Sequence, residues 1–178
     1  MSALRENSVI AFTYSPYSRS GKGKKVIMEP YFLKIFRQRW YITGRNTSEN
    51  KIKTYALDRM SGLTISTRKF CLPPDFDPET YFKDAFGIVF SLGEVHKVVL
   101  RVDKQQAKYM RALPLHHSQS EMVDDNYSIF HYNLRLTPDL VQEIMSYGPS
   151  VTVLSPPELR AMITTRLKDT LKNYEQCE

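Results

Sequence analysis

Two clusters of rings and cations carry the chemistry open to this chain. Arg39-Trp40-Tyr41-Ile42-Thr43-Gly44-Arg45-Asn46 is soon followed by Lys53-Thr54-Tyr55-Ala56-Leu57-Asp58-Arg59-Met60. On a half-buried strand alternate side chains share a face. Tyr41, Thr43 and Arg45 then fall together, as do Lys53, Tyr55, Leu57 and Arg59. Pairing through a turn near Ser48-Glu49-Asn50 is expected to make one surface of rings edged by guanidinium and ammonium groups. Rings stack on bases, and planar cations grip phosphates or carboxylates. The candidate ligand-binding set is Tyr14, Tyr41, Arg45, Lys53, Tyr55 and Arg59, with Arg19, Lys22 and Lys24 as a rim. Trp40 alternates away from Tyr41 and is expected in the core.

The same residues offer no acid, base or nucleophile in a catalytic pattern, so an enzyme is not expected. His116 and His117, read as strand neighbours, point to opposite faces and do not share a metal easily. No Cys/His spacing of zinc type and no Gly-x-Ser-x-Gly motif occurs. Gly21-Lys22-Gly23-Lys24 lacks the spacing of a P-loop. No cofactor or metal is expected. Cys71 and Cys177 are far apart and read as ordinary thiols of a reducing cytoplasm.

Charge separates the chain into two parts. Residues 1–70 hold 14 Lys and Arg against 4 Asp and Glu, and residues 71–178 hold 11 against 15. The basic part is the candidate for an anionic ligand. No run of 18 apolar residues suggests a membrane span, and the first residues lack the apolar stretch of a signal peptide.

The elements that must position these groups follow from pattern. Strands are expected at Val9–Ser15, Lys25–Phe36 (bulged near Glu29-Pro30), the two ring-rich segments, and Gly62–Thr67. Five short strands in this span predict a small, highly curved β-barrel over residues 1–70. Residues 71–94 read as a linker with a short helix at Glu79–Phe86, capped by Asp77 with Pro78 at the first helical position. Residues 95–178 alternate as strand, helix, two strands, helix and strand, then a terminal helix. That order predicts a ferredoxin-like β-α-β-β-α-β domain, so the fold class is α+β.

The ordered set Phe12-Thr13-Tyr14, Glu29-Pro30-Tyr31, Arg39-Trp40-Tyr41-Ile42, Arg45-Asn46 and Lys53 to Met60 resembles the WYL-domain proteins, with Ile42 in the leucine place. His117-Ser118-Gln119 and Tyr147-Gly148 through Val153-Leu154-Ser155-Pro156-Pro157-Glu158-Leu159-Arg160 resemble the family's C-terminal extension. Lys53 stands where the family often has arginine and, as a point charge, offers no bidentate fork.

The resemblance implies an Sm-like barrel followed by a ferredoxin-like extension. It implies a ligand-sensing module of a bacterial transcriptional regulator, binding nucleic acid or a nucleotide-like anionic effector. Such regulators normally begin with a winged helix-turn-helix domain, and this chain begins a few residues before the barrel. It is therefore expected to be the effector half of a longer protein or a stand-alone sensor. Its expected partners are a DNA-binding domain in cis or trans and a second copy in a homodimer. The alternative is a protein–protein adaptor without a nucleotide ligand.

Overall fold

A computed structural model describes residues 1–17, 23–89 and 93–175. The chain divides into two compact units, Met1–Tyr81 and Phe82–Glu178. It is a mixed α/β protein with two antiparallel sheets.

The first unit opens with a short helix, α1 (Ser2–Arg5), and continues with β1 (Ser8–Tyr14), β2 (Lys24–Phe36), β3 (Arg39–Asn46), β4 (Lys51–Ala56) and β5 (Met60–Lys69). The strand order is β4-β3-β2-β1-β5. Alternation in β1 drives its placement, because Ile10 and Phe12 point to one side and Val9 to the other. Ile10 and Phe12 join Ala3, Val26, Met28, Ile42 and Tyr55 in one core. Val9 joins Tyr31 and Phe70 in a second core, backed by Phe32, Ile52 and Phe76.

The expected bulge in β2 is present. Pro30 pairs with Gly44 and Phe32 with Thr43, which leaves Tyr31 as the extra residue. Before the bulge Val26 and Met28 face the first core; after it Leu33 packs there. Gly44 permits the close approach of β2, since a Cβ on it would lie 2.1 Å from the Glu29 carbonyl oxygen.

The expected closed barrel is not found. β4 and β5 are the edges of an open sheet, and no ladder joins them among the described residues. A 3-10 turn, Leu57–Arg59, carries the chain from one edge to the other. The Arg59 carbonyl accepts from Ser15 N at 3.1 Å, which places the start of β5 beside the end of β1. β5 then pairs along β1 and leaves β4 with one partner. Lys51 and Lys53 on that edge strand disfavour pairing with another chain.

The helix expected at Glu79–Phe86 is shorter, α2 (Pro78–Tyr81), though Asp77 does cap it by accepting from Glu79 N at 3.0 Å. Residues beyond it give their backbone groups to the second unit's own elements. The Asp84 carbonyl accepts from Arg135 N, the Phe86 carbonyl from the Thr137 hydroxyl, and Ile88 N and Val89 N donate to Asp139. Those bonds compete with a continued helix. Phe76 and Tyr81 instead pack with Tyr31 and Phe32 of β2, with Phe76 4.7 Å from the Tyr31 ring.

The second unit holds β6 (Val95–Asp103), α3 (Lys104–Ala112), β7 (Ser120–Val123), β8 (Tyr127–Arg135), α4 (Pro138–Ser146), β9 (Val151–Ser155) and α5 (Pro157–Glu175). Its sheet order is β7-β8-β6-β9, antiparallel throughout. Val98, Leu100 and Val102 of β6 and Phe130, Tyr132 and Leu134 of β8 pack against Ala107, Met110, Leu140, Val141, Ile144 and Leu159 from the helices. Asp103 caps α3 by accepting from Gln106 N, and Thr137 caps α4 by accepting from Leu140 N.

Candidate ligand-binding surface

The β3–β4 register decides which predicted site residues share a face. Tyr41 lies opposite Ala56, Ile42 opposite Tyr55, Thr43 opposite Thr54, Gly44 opposite Lys53 and Arg45 opposite Ile52. Paired residues point to the same side of a sheet. Tyr41, Thr43 and Arg45 therefore project to one side, with Ile52 and Thr54. Lys53 and Tyr55 project to the other, with Ile42. The single expected face is in fact two opposite ones.

On the first side the polar groups are already paired. Arg45 forks onto Glu29, with Nε 2.8 Å from Oε2 and Nη2 2.9 Å from Oε1. This hydrogen bonding holds the Arg45 guanidinium above its ordinary pKa. Glu29 is buried, so Arg45 has a structural carboxylate where a ligand phosphate was expected. Thr43 and Thr54 join hydroxyls at 2.9 Å. Tyr41 is 9% exposed and Trp40 46%, the reverse of the expected roles of the two rings.

On the other side Tyr55 is a core ring. Its hydroxyl accepts from Asn46 Nδ2 at 2.8 Å, and its burial raises its pKa. Tyr14 meets it edge-on at 4.9 Å and forms the outer margin of this core. Lys24 lies opposite Tyr14 in the β1–β2 ladder. Lys53 is paired with Glu49. That carboxyl is held below its ordinary range by the Lys53 hydrogen bond, with Lys24 and Lys51 adding to the effect. Three lysines therefore gather around one carboxylate.

Arg59 completes this region. It precedes Met60, which lies opposite Tyr14 in the β1–β5 ladder. Its guanidinium sits 4.0 Å over the Tyr17 ring. Its Nε is buried and has no hydrogen-bond partner among the described residues. Tyr17 was not among the expected site residues; its place in the basic loop was the available signal. Arg19 and Lys22 of the predicted rim lie outside the described residues.

His116 has structural work. His116 and His117 sit in the loop before β7, not on a strand, with rings 4.0 Å apart. His116 Nε2 donates to the Lys83 carbonyl at 2.7 Å, which leaves Nδ1 to accept from the Ser118 hydroxyl at 2.8 Å. Among the described residues no three His, Cys, Asp or Glu side chains gather as a metal site, and no helix is long and apolar enough to cross a membrane.

Residues 1–65 match the model of the WYL domain, and residues 94–171 match that of the WCX domain. The chain is a WYL-domain protein. The WYL match spans all five strands of the first sheet up to the middle of β5, and the WCX match spans the second sheet and most of α5. No curated protein matches the chain. Among solved structures, a CRISPR Cas-related protein is 15% identical with a TM-score of 0.57, covering 97% of this chain and 49% of its own. This shows a shared fold. Proteasome accessory factor B/C (PafBC) of Arthrobacter aurescens is 25% identical with a TM-score of 0.42, covering 94% of this chain and 25% of its own. The WYL protein thus spans about half of the first of these two solved chains and a quarter of the second.

Proposed function

We propose that this WYL protein is the effector-sensing module of a bacterial transcriptional regulator, and that it binds nucleic acid or a nucleotide-like anion at the surface formed by Arg59, Tyr17, Tyr14 and Lys24. Arg59 carries the reading. Its guanidinium rests on a ring, and its buried Nε–H has no acceptor among the described residues. A buried donor left unpaired costs about 1–3 kcal/mol, which an anionic ligand recovers on binding. Tyr17 and Tyr14 supply rings for stacking, and the lysines around Glu49 supply a positive approach.

Two finer features of the fold belong to the same reading. The order β4-β3-β2-β1-β5 after a short helix supports an Sm-like first unit. The order β7-β8-β6-β9, with helices on one side, supports a ferredoxin-like second unit. The module works in the cytoplasm, without catalysis, and signals to a DNA-binding domain in cis or trans.

A second reading, a homodimerisation or adaptor surface, is favoured by α5. Leu167, Leu171 and Tyr174 are exposed along it, beside an apolar groove of about 690 Å³ lined by Ile144, Val153 and Ile163.

The test is a fluorescence titration with short single-stranded oligonucleotides and with nucleoside triphosphates at two salt concentrations. Saturable quenching that weakens at least tenfold in Arg59→Ala is expected. Equal affinity in the folded variant overturns the site, and no binding of any probe favours the adaptor.

A further inference from the structure

We propose that the outer face of the β7-β8-β6-β9 sheet is a second binding site, for single-stranded nucleic acid, built by Tyr127, Arg101, His131 and Lys97. The helices of this unit pack on the side lined by Val98, Leu100, Val102, Phe130, Tyr132 and Leu134. The intervening residues of β6 and β8 point away from those helices.

Register arranges them as an alternation. Val99 lies opposite His131, Arg101 opposite Ile129 and Lys97 opposite Asn133. His131 therefore has Lys97 and Arg101 as its two diagonal neighbours, and Tyr127 has Arg101. Diagonal neighbours on adjacent strands lie roughly 7–8 Å apart. The two central strands thus present ring, cation, ring, cation in a zigzag.

Arg135, at the far end of this face, pairs with Asp84, but the two cations of the zigzag do not share it. Lys97 and Arg101 are exposed and have no ion-pair partner among the described residues. The one carboxylate of β6, Asp103, is engaged as the α3 cap. Tyr127 is 36% exposed. His131 is half-buried on this face, and its Nε2 is buried without a hydrogen-bond partner among the described residues. A four-stranded sheet that offers rings for stacking and cations beside them has the chemistry to hold an extended strand of bases and phosphates. The surface lies on a different unit from Arg59 and does not depend on it.

The experiment is ultraviolet crosslinking of the whole chain to oligo(dT) and oligo(rU) eight-mers, with crosslinked peptides mapped by mass spectrometry. Crosslinks from either probe on the segment Tyr127–His131 are expected. In Lys97→Glu/Arg101→Glu these crosslinks are expected to fall at least tenfold. The log–log salt slope of binding measured in the Arg59→Ala background should drop by about 1.4, the contribution of two neutralised phosphates on a single strand. Crosslinks confined to residues 1–81, none with either probe, or unchanged crosslinking in the folded double variant overturns the proposal. Loss at Arg59 with crosslinks kept on β8 separates this site from the first.

Discussion

Arg45 binds Glu29 through two nitrogens of its guanidinium, across the β2–β3 ladder and directly beside the β2 bulge. Removing Arg45 strands a carboxylate that is 2% exposed. Breaking a buried pair costs about 3–5 kcal/mol, reduced here because solvent screens the arginine side. Arg45→Ala is therefore expected to lower unfolding free energy by about 2 kcal/mol in urea titration. An unchanged midpoint would return Arg45 to the ligand-binding set.

Tyr41 and Trp40 should separate stability from surface chemistry. Tyr41→Ala empties a buried position and is expected to cost about 3 kcal/mol. Trp40→Ala removes a half-exposed ring opposite exposed Ile35 and should cost under about 1 kcal/mol. Thermal melts of the two variants check this order, and a reversed order would refute the strand faces described here.

Gly44 admits no side chain. A Cβ would meet the Glu29 carbonyl at 2.1 Å and Pro30 Cα at 2.9 Å, both backbone atoms. Gly44→Ala is expected to destabilise by about 2 kcal/mol or more through forced separation of β2 and β3. Gly62, with open space around its Cβ direction but a φ of +61°, is a control for strain without a clash.

Acid should weaken the second unit through Glu121. Arg111 forks onto this carboxylate at 2.7 and 2.8 Å, tying α3 to β7. That hydrogen bonding holds the Glu121 carboxyl below its ordinary range. A carboxyl depressed in the folded state adds stability above its unfolded pKa of about 4.3, and loses it as pH falls through the depressed folded value. Urea midpoints measured from pH 7 down to pH 3 should fall along an acid limb that is shallower in Glu121→Gln. An identical limb in both proteins would remove Glu121 as a contributor.

The strands were legible because their periods are clean. β1, β2 and β6 to β9 fall within a few residues of the alternations that predict them, and the Asp77 cap follows from residue type. Which face each residue serves was less legible. Both sides of β3 are covered, so Tyr41 and Ile42 are equally buried and no alternation marks the inner side. The β3–β4 register depends on the turn, where Asn50 takes a φ of +50° and Asn46 Oδ1 accepts from Ser48 N and Glu49 N. One residue of register decides whether Tyr41 and Tyr55 meet. The fork between Arg45 and Glu29 was hidden for the same reason, since it needs the β2 bulge to bring them opposite.

The extra residue in β2 also sets how this stretch tolerates change in length. Upstream of Tyr31 the even-numbered residues serve the first core, and downstream an odd-numbered one, Leu33, does. Tyr31 works as a phase shift in the text of the strand. Deleting Tyr31 itself would leave Pro30 and Phe32 as neighbours opposite the consecutive Gly44 and Thr43, so the bulge heals and Phe32 and Leu33 keep their sides, whereas deleting a residue elsewhere in β2 with the bulge kept exchanges the two sides from that point. Variation in length along β2 should therefore fall at the bulge itself, and elsewhere run through side-chain identity.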